Sequence, residues 1–150
     1  MAKAHGADEV IDTASEDVRA RVRELTDGRG ADVVFDPVGG ELFTASLRGI
    51  AWQGRILVVG FSSGAIPQIP ANLLLVKNAA AIGFYWGSYR RHDPARVHAA
   101  FETLLQWHAD GRIRPHVFEL RPLAEARGAL ELLLSRRSTG KIVLTVDDAH

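Results

Sequence analysis

Three short segments of small and aromatic residues each follow a predicted buried strand, where a flat ligand could bind. They are Val38-Gly39-Gly40, Gly60-Phe61 and Phe84-Tyr85-Trp86. In an open α/β sheet, ligands bind beyond the carboxyl ends of the strands, and glycine lets a ligand approach the backbone closely. We therefore predict that these segments form one wall of a cofactor site. For Gly39-Gly40 the alternative explanation is a simple turn before a helix, which is the commoner role of such residues.

The segment 60–64 (GFSSG) matches the G-x-S-x-G pattern after a strand, which is the nucleophile elbow of α/β-hydrolases. That elbow needs a helix directly after the serine, and the two prolines that follow in residues 65–70 disfavour one. Asp93 or Asp110, followed by His116, would supply the partners in the right chain order. A serine hydrolase with Ser62 as nucleophile is therefore kept as a minor alternative.

The composition argues against several other kinds of site. The chain has no cysteine, which excludes a disulfide framework and a thiolate zinc site within it. Its six histidines form no pair with ligand spacing, so we predict no metal site. The 18 basic and 18 acidic side chains cancel, which gives no footprint for nucleic acid or an anionic membrane. Without a membrane-length apolar run or a signal peptide, a cytoplasmic protein is expected.

Strand and helix patterns alternate along the first part of the chain, which predicts a parallel sheet with helical crossovers. The predicted strands are residues 8–12, 31–36, 55–60 and 79–86. The run 31–36 (ADVVFD) is apolar and β-branched, as in strands buried on both faces. One predicted helix has Ser15 as its N-cap and ends at Gly28. A second presents an apolar face made of Leu42, Phe43, Leu47 and Ile50. Residues 72–78 are predicted to form one or two further helical turns.

The last part of the chain has a different pattern, and we place its start in the polar stretch 89–93. Asp93-Pro94 predicts a helix start, and Gly111 predicts its end. A strand at 116–120, an amphipathic helix and a final strand at 141–146 follow. The apolar face of that helix is predicted to be Leu123, Ala126, Leu130, Leu133 and Leu134.

Six stretches of the sequence share a pattern with one known family. They are residues 5–12 (HGADEVID), 26–40 (TDGRGADVVFDPVGG), 54–64 (GRILVVGFSSG), 69–72 (IPAN), 83–87 (GFYWG) and 139–144 (TGKIVL). In order and spacing they resemble the zinc-free quinone oxidoreductase (zeta-crystallin-like) branch of the medium-chain dehydrogenase/reductase superfamily. The resemblance covers essentially the whole chain.

The resemblance implies an enzyme that reduces quinones, enones or enoyl thioesters by direct hydride transfer from NADPH, with NADH as the alternative and without zinc. It implies no catalytic residue in this region. Thr13 would lie near the adenosine half of the cofactor, where an aromatic residue or histidine is usual, and Lys141 would lie near the cofactor or its domain interface. The other implied cofactor contacts are Val38, Gly39, Gly40, Val58, Val59, Gly60, Phe61, Phe84, Tyr85 and Trp86.

The resemblance also implies an α/β fold that is a partial Rossmann-type parallel sheet, with strands three to six of the usual order 3-2-1-4-5-6. Residues 1–90 would be the carboxyl-terminal part of the dinucleotide-binding domain. Residues 91–150 would be a helix–strand–helix–strand return segment that completes a catalytic domain missing from this sequence. No G-x-G-x-x-G pyrophosphate loop is present. We therefore interpret the chain as a fragment that binds NADPH weakly or not at all.

Two consequences concern the edges of the sheet. Without strands one and two, the strand at 31–36 would expose an unpaired edge of buried type. The strand Ala79 to Trp86 would form the other edge and could pair across a homodimer. A non-catalytic remnant or dimerisation module is therefore the main alternative to an oxidoreductase.

Overall fold

A computed structural model describes residues 1–135 and 137–146 of the chain. The chain divides into two compact units, one from Ala2 to Pro94 and the other from Ala95 onward. The elements of the first unit are a 3-10 helix Ala2–His5, α1 Val18–Leu25, β1 Ala31–Asp36, α2 Gly40–Gly49, β2 Ile50–Val58, α3 Ala71–Lys77, β3 Ala80–Gly83 and α4 Trp86–His92.

The first unit is built on a three-stranded parallel sheet with the order β1-β2-β3. Its carboxyl edge is level, because Asp36 of β1 pairs with Val58 of β2, which in turn pairs with Gly83 of β3. The predicted partial Rossmann-type parallel sheet is confirmed. The segments that follow the three strands therefore emerge side by side.

The core of this unit lies between α2 and the sheet. Its buried side chains are Phe43, Leu47, Ile50 and Ile56. The predicted apolar face of α2 is confirmed for Phe43 and Leu47, which are fully buried. Ile50 was wrongly assigned to that helix. It is extended, with φ −68° and ψ 145°, and it opens β2, because the helix ends at Gly49.

The predicted strand at residues 8–12 is wrong. A strand needs a neighbour for its backbone groups, and the described residues contain none for this segment. Asp12 instead organises a turn, in which its carboxylate accepts hydrogen bonds from Ser15 Oγ at 2.7 Å and Ala14 N at 3.0 Å. These two bonds lower the pKa of Asp12. Ser15 is thus not the N-cap of α1; Asp17 is, and it accepts from Ala20 N at 2.8 Å.

The predicted strand at 31–36 has the predicted bounds but not the predicted burial. Val33 is 51% exposed and Phe35 is 64% exposed, so β1 is not buried on both faces. The strand lies at the edge of the described sheet, which confirms the predicted unpaired edge. The apolar composition of β1 is typical of a strand with a neighbour on each side and with both faces covered, whereas the described sheet has only three strands.

Two strand boundaries differ from the prediction. β2 begins at Ile50 rather than Arg55, and the register with β1 shifts where the backbone of Gln53 turns through a positive φ of 60°. β3 is only Ala80–Gly83, because its partner β2 ends at Val58. The chain then turns, and Trp86 starts α4 instead of ending a strand.

The second unit contains a two-stranded parallel sheet, and the helix Ala126–Leu134 packs on its first strand. Its elements are α5 Pro94–Ala109, β4 Val117–Pro122, a 3-10 helix Leu123–Glu125, α6 Ala126–Leu134 and β5 Lys141–Thr145. Pro94 starts α5 as predicted, and α5 ends before Gly111, which has φ 69°. α6 buries Ala129 and Leu132, whereas the predicted face is largely uncovered, with Leu134 83% exposed. None of the described helices is long and apolar enough to cross a membrane.

The loop before β1 offers a test of the packing at the amino end of the sheet. Gly30 is buried with φ 91°, and a methyl group there would lie 2.5 Å from the carbonyl oxygen of Gly49. We expect Gly30→Ala to destabilise the unit by about 2–3 kcal/mol in urea denaturation. Gly28→Ala is the control, since Gly28 also has a positive φ but nothing within 4 Å; it should cost about 1 kcal/mol. Equal losses for both variants would contradict the close packing.

Candidate functional site

A cleft of about 800 Å³ lies at the carboxyl ends of β2 and β3, within the first unit. Small-ligand sites usually have volumes of roughly 300–1,000 Å³ and mostly apolar walls, and this cleft meets both conditions. Its lining residues come from the ends of the two strands, the segments after them and α4: Val58, Val59, Gly60, Phe61, Gly83, Phe84, Tyr85, Ser88, Tyr89, His92 and Asp93.

The backbone after β2 and β3 is held in place by hydrogen bonds that continue the sheet. Val59 N donates to Asp36 O at 2.9 Å, and Phe84 N donates to Val58 O at 2.9 Å. The chain after β3 then enters α4, where Ser88 Oγ donates to Tyr85 O at 2.8 Å. The apolar side chains at the strand ends and the polar side chains of α4 consequently face one space.

Three aromatic rings support one wall of the cleft. Phe84 and Tyr89 have ring centroids 5.8 Å apart, and Trp86 lies 6.2 Å from Phe84 and 5.5 Å from Tyr89. Each such pair contributes about 0.5–1.5 kcal/mol beyond the burial of area. Trp86 packs on the two lining rings without itself lining the cleft. It therefore supports the positions of Phe84 and Tyr89, and its own contact with a cofactor stays a prediction.

The turn Val38-Gly39-Gly40 packs against the loop after β2 and does not line the cleft. The Asp36 carboxylate is 3% exposed and accepts from Val38 N at 3.0 Å and Gly39 N at 3.1 Å. A Cβ on Gly39 would lie 2.8 Å from Ala65 O. The two glycines are thus explained by the close approach of two backbone segments, and their contact with a cofactor stays a prediction.

The other two predicted contacts are Thr13 in the first unit and Lys141 in the second. Thr13 lines a smaller pocket of about 380 Å³ together with Glu16, which precedes α1, and Glu41 of α2. Lys141 opens β5 in the second unit, where its backbone N–H donates to His116 O at 2.9 Å. Thr13 does not line the cleft, whereas Val58, Val59, Gly60, Phe61, Phe84 and Tyr85 do; the cofactor contacts of Thr13 and Lys141 stay predictions.

Ser62 lacks the surroundings of a nucleophile elbow. It lies in a turn, its backbone N–H donates to Pro37 O at 3.1 Å, and the loop continues until α3 begins at Ala71. A nucleophile elbow requires a helix directly after the serine, which presents the hydroxyl and helps to form the oxyanion hole. The structure therefore gives the hydrolase alternative no support.

The contribution of α4 to the cleft was not predicted from the sequence. Ser88, Tyr89 and His92 line it, yet they fall where the prediction had a strand end and a polar linker. A signal was present, since residues 85, 88, 89 and 92 have the i, i+3, i+4, i+7 spacing of one helical face. The aromatic run before them favoured a longer strand and hid that spacing.

Residues 5–144 match the family described as zinc-binding dehydrogenase. Despite that description, the described residues hold no group of three or more histidine, aspartate, glutamate or cysteine side chains that could bind a metal ion. The residues that the structure describes thus do not fit a zinc centre.

The chain is similar to quinone oxidoreductases in both sequence and structure. It is 44% identical to a quinone oxidoreductase-like protein 2 homolog of Nematostella vectensis, over 93% of this chain and 38% of that protein. It is 39% identical to the quinone oxidoreductase-like protein 2 of Bos taurus, over 97% of this chain and 42% of the other. It therefore spans about two fifths of these relatives.

Among solved structures, quinone oxidoreductase of Pseudomonas syringae pv. Tomato DC3000 superposes with a TM-score of 0.82 at 33% identity, over 95% of this chain and 44% of the other. A mycobacterial protein complexed with NADPH superposes with a TM-score of 0.76 at 31% identity, over 95% of this chain and 45% of the other. The chain thus belongs to the zinc-binding dehydrogenase family, among the quinone oxidoreductases of the medium-chain dehydrogenase/reductase superfamily.

Proposed function

We propose that this chain is the carboxyl-terminal part of an NADPH-dependent oxidoreductase that reduces quinones, enones or enoyl thioesters. The observation that carries the proposal is the apolar cleft at the carboxyl ends of β2 and β3. Open α/β sheets bind their ligands at this edge. The relatives named quinone oxidoreductase support the substrate class, and the neighbour complexed with NADPH supports the choice of cofactor.

The cleft fits the nicotinamide ring in shape and polarity. Val58, Phe61 and Phe84 offer apolar surfaces to a flat ring. Gly83 lines the same space, and a Cβ on it would meet no atom within 4 Å, so the chain leaves room for a ligand at this point. When bound, such a cofactor supplies the hydride that a quinone takes up, together with a proton, to become a hydroquinone.

The residues of this chain would bind and orient the reactants. A ring bound between these apolar side chains would displace water from the cleft, which would strengthen the polar interactions inside it. Ser88 and Tyr89 carry hydroxyl groups on one wall, and His92 carries an imidazole there. Because the Ser88 hydroxyl donates its hydrogen to Tyr85 O, it can accept a hydrogen bond from the N–H of a carboxamide, and the imidazole of His92 can donate one to a substrate carbonyl oxygen. None of them is assigned as a catalytic acid.

The proposal is tested with two reduced nicotinamides that differ in their phosphate content. We expect dihydronicotinamide riboside and NADH to bind the 150-residue chain with dissociation constants of about 1 mM or weaker, and within about threefold of each other. The reason is that the sequence has no glycine-rich pyrophosphate loop, so the phosphates of NADH should add little to the binding free energy. Backbone amide shifts of Val58, Val59 and Phe84 in an NMR titration provide the measurement.

Two results would go against the proposal. If neither compound moved the amide signals of the cleft, the cleft would not be a nicotinamide site. If NADH bound there with micromolar affinity, the chain would contain a pyrophosphate site of its own, and the expectation of weak binding would be wrong.

A non-catalytic assembly module has one observation in its favour. β3 is the other outer strand of the described sheet, and Ile82 on it is 44% exposed. A second copy of the chain could add to this edge as a homodimer, since free strand edges pair readily. Sedimentation of a dimer, together with no shift at the cleft on addition of a nicotinamide, would favour this alternative.

A further inference from the structure

A second pocket lies at the opposite end of the same sheet. It has a volume of about 330 Å³ and includes Gly30 before β1 and Ile50 at the start of β2. We call it the basic pocket, because five cationic side chains line it: Arg19, Arg23, Arg29, Arg48 and Lys77. No aspartate or glutamate is among the residues that line it. The neutral net charge of the chain conceals this local concentration of positive charge.

The fold itself brings these cations together. Each crossover helix ends just before the strand that follows it, so α1, α2 and α3 all end at the amino edge of the sheet. Arg23, Arg48 and Lys77 lie in the last turns of these three helices. Arg29 follows in the loop before β1 and pairs with Asp32.

The negative ends of the three helices offset part of the positive charge in the basic pocket, but not all of it. A helix C-terminus carries about −0.5 elementary charge, so three of them balance about one and a half cations. Lys77 Nζ serves this purpose by donating to Arg48 O at 2.8 Å and Ile50 O at 2.6 Å. Within residues 1–135 and 137–146, Arg19, Arg23 and Arg48 form no ion pair with an acidic side chain. More than two positive charges therefore remain without a counter-charge.

The cations also destabilise one another. Burial, with the positive charges of Arg19 and Arg23, lowers the pKa of Lys77 below its ordinary value. A cluster of like charges without a partner is unfavourable, and an anion placed among them removes that repulsion. Guanidinium groups bind phosphate oxygens through paired hydrogen bonds, and several of them around one space suit a dianion.

We propose that the basic pocket binds the phosphomonoester group of a small metabolite, by contacts from Arg19, Arg23 and Arg48. The volume is at the lower end of the range of about 300–1,000 Å³ for small-ligand sites, so one phosphorylated small molecule fits. A nucleic acid is disfavoured, since the chain has no net positive charge to hold its backbone. Trp52 lines the pocket with 64% of its surface exposed and offers a ring on which a planar group can stack.

The test uses inorganic phosphate, AMP and adenosine as probes, added to the 150-residue chain at a constant ionic strength of about 0.15 M. Phosphate and AMP are expected to shift the amide signals of Gly28, Gly30 and Gly49 with saturation, and adenosine is expected to leave them unchanged. Equal affinity for phosphate and AMP would identify the free anion as the source, whereas tighter AMP binding with a shift of the Trp52 indole N–H would identify a nucleotide. Either result supports the site.

Matched variants separate the pocket from general attraction to positive charge. The double variant R23Q/R48Q should weaken AMP binding by at least about tenfold. Arg21→Gln is the control on the same helix, because Arg21 pairs with Glu24 at 2.8 Å and does not line the pocket; it should leave the affinity within about twofold. Shifts that do not saturate, an equal effect of both variants, or tighter binding of a single-stranded oligonucleotide than of AMP would overturn the proposal. Neither cleft probe carries a phosphomonoester, so the two sites are tested independently.

Discussion

Replacing Phe43 by alanine is expected to destabilise the first unit by about 3–5 kcal/mol. Phe43 is 0% exposed and lies on α2 at the centre of the core with Leu47, Ile50 and Ile56. The loss combines the transfer free energy of the ring with the cavity that it leaves. With a denaturant slope of 1–3 kcal/mol/M, the midpoint of urea unfolding should fall by about 2 M.

Phe35→Ala is the matched control for this substitution. It removes the same ring from β1, where Phe35 is 64% exposed, and it should change the free energy of unfolding by less than about 0.5 kcal/mol. It should also reduce aggregation, because the exposed edge strand loses an apolar side chain. If Phe35→Ala were as destabilising as Phe43→Ala, the sheet would be covered on the face that the structure leaves open.

Gly83→Leu is expected to weaken the binding of dihydronicotinamide riboside at the cleft by more than about tenfold. Gly83 lines the cleft, and a Cβ built on it meets no atom within 4 Å. A leucine side chain can therefore fill the space in which the nicotinamide ring is proposed to bind, without displacing the backbone. Gly83 is the last residue of β3 and has room for a side chain, so the substitution should not destabilise the strand. The loss would therefore report on the cleft rather than on folding.

Ala80→Leu provides the control at the other end of β3. Ala80 pairs with Arg55, is exposed and does not line the cleft. This variant adds the same side chain to the same strand and should bind the nicotinamide as the parent chain does, within about twofold. If Gly83→Leu kept the parent affinity, the ring would bind elsewhere, and the assignment of the cleft would have to be withdrawn.

Local sequence patterns predicted the elements whose cause is local. The bounds of β1 followed from a β-branched run between Gly30 and Pro37, and the start of α5 followed from Pro94. Residues 8–12 have an equally strand-like composition, but a strand depends on a neighbour that is distant in sequence. The prediction that Phe35 is buried was wrong for a related reason. An apolar composition is typical of a strand covered on both faces, but the covering elements must be supplied by other residues, and the described residues leave Phe35 64% exposed.

The candidate site was predictable where it is made of strand ends. Val58 and Phe61 lie in the cleft because β2 is parallel to β3 and ends level with it, which the succession of strands and helices already implied. The helix face with Ser88 and His92 was not predicted, because the aromatic residues just before it are typical of strands and extended the predicted strand to Trp86. Gly39 was expected beside a ligand, whereas its lack of a side chain serves the contact with Ala65.

The assignment of the cleft is tested most directly by intermolecular nuclear Overhauser effects between dihydronicotinamide riboside and the 150-residue chain. Because the ring is proposed to lie between the ends of β2 and β3, its protons should show effects to the methyl groups of Val58 and to the ring of Phe84. Effects confined to other parts of the chain, such as the pocket around Thr13, would contradict the assignment.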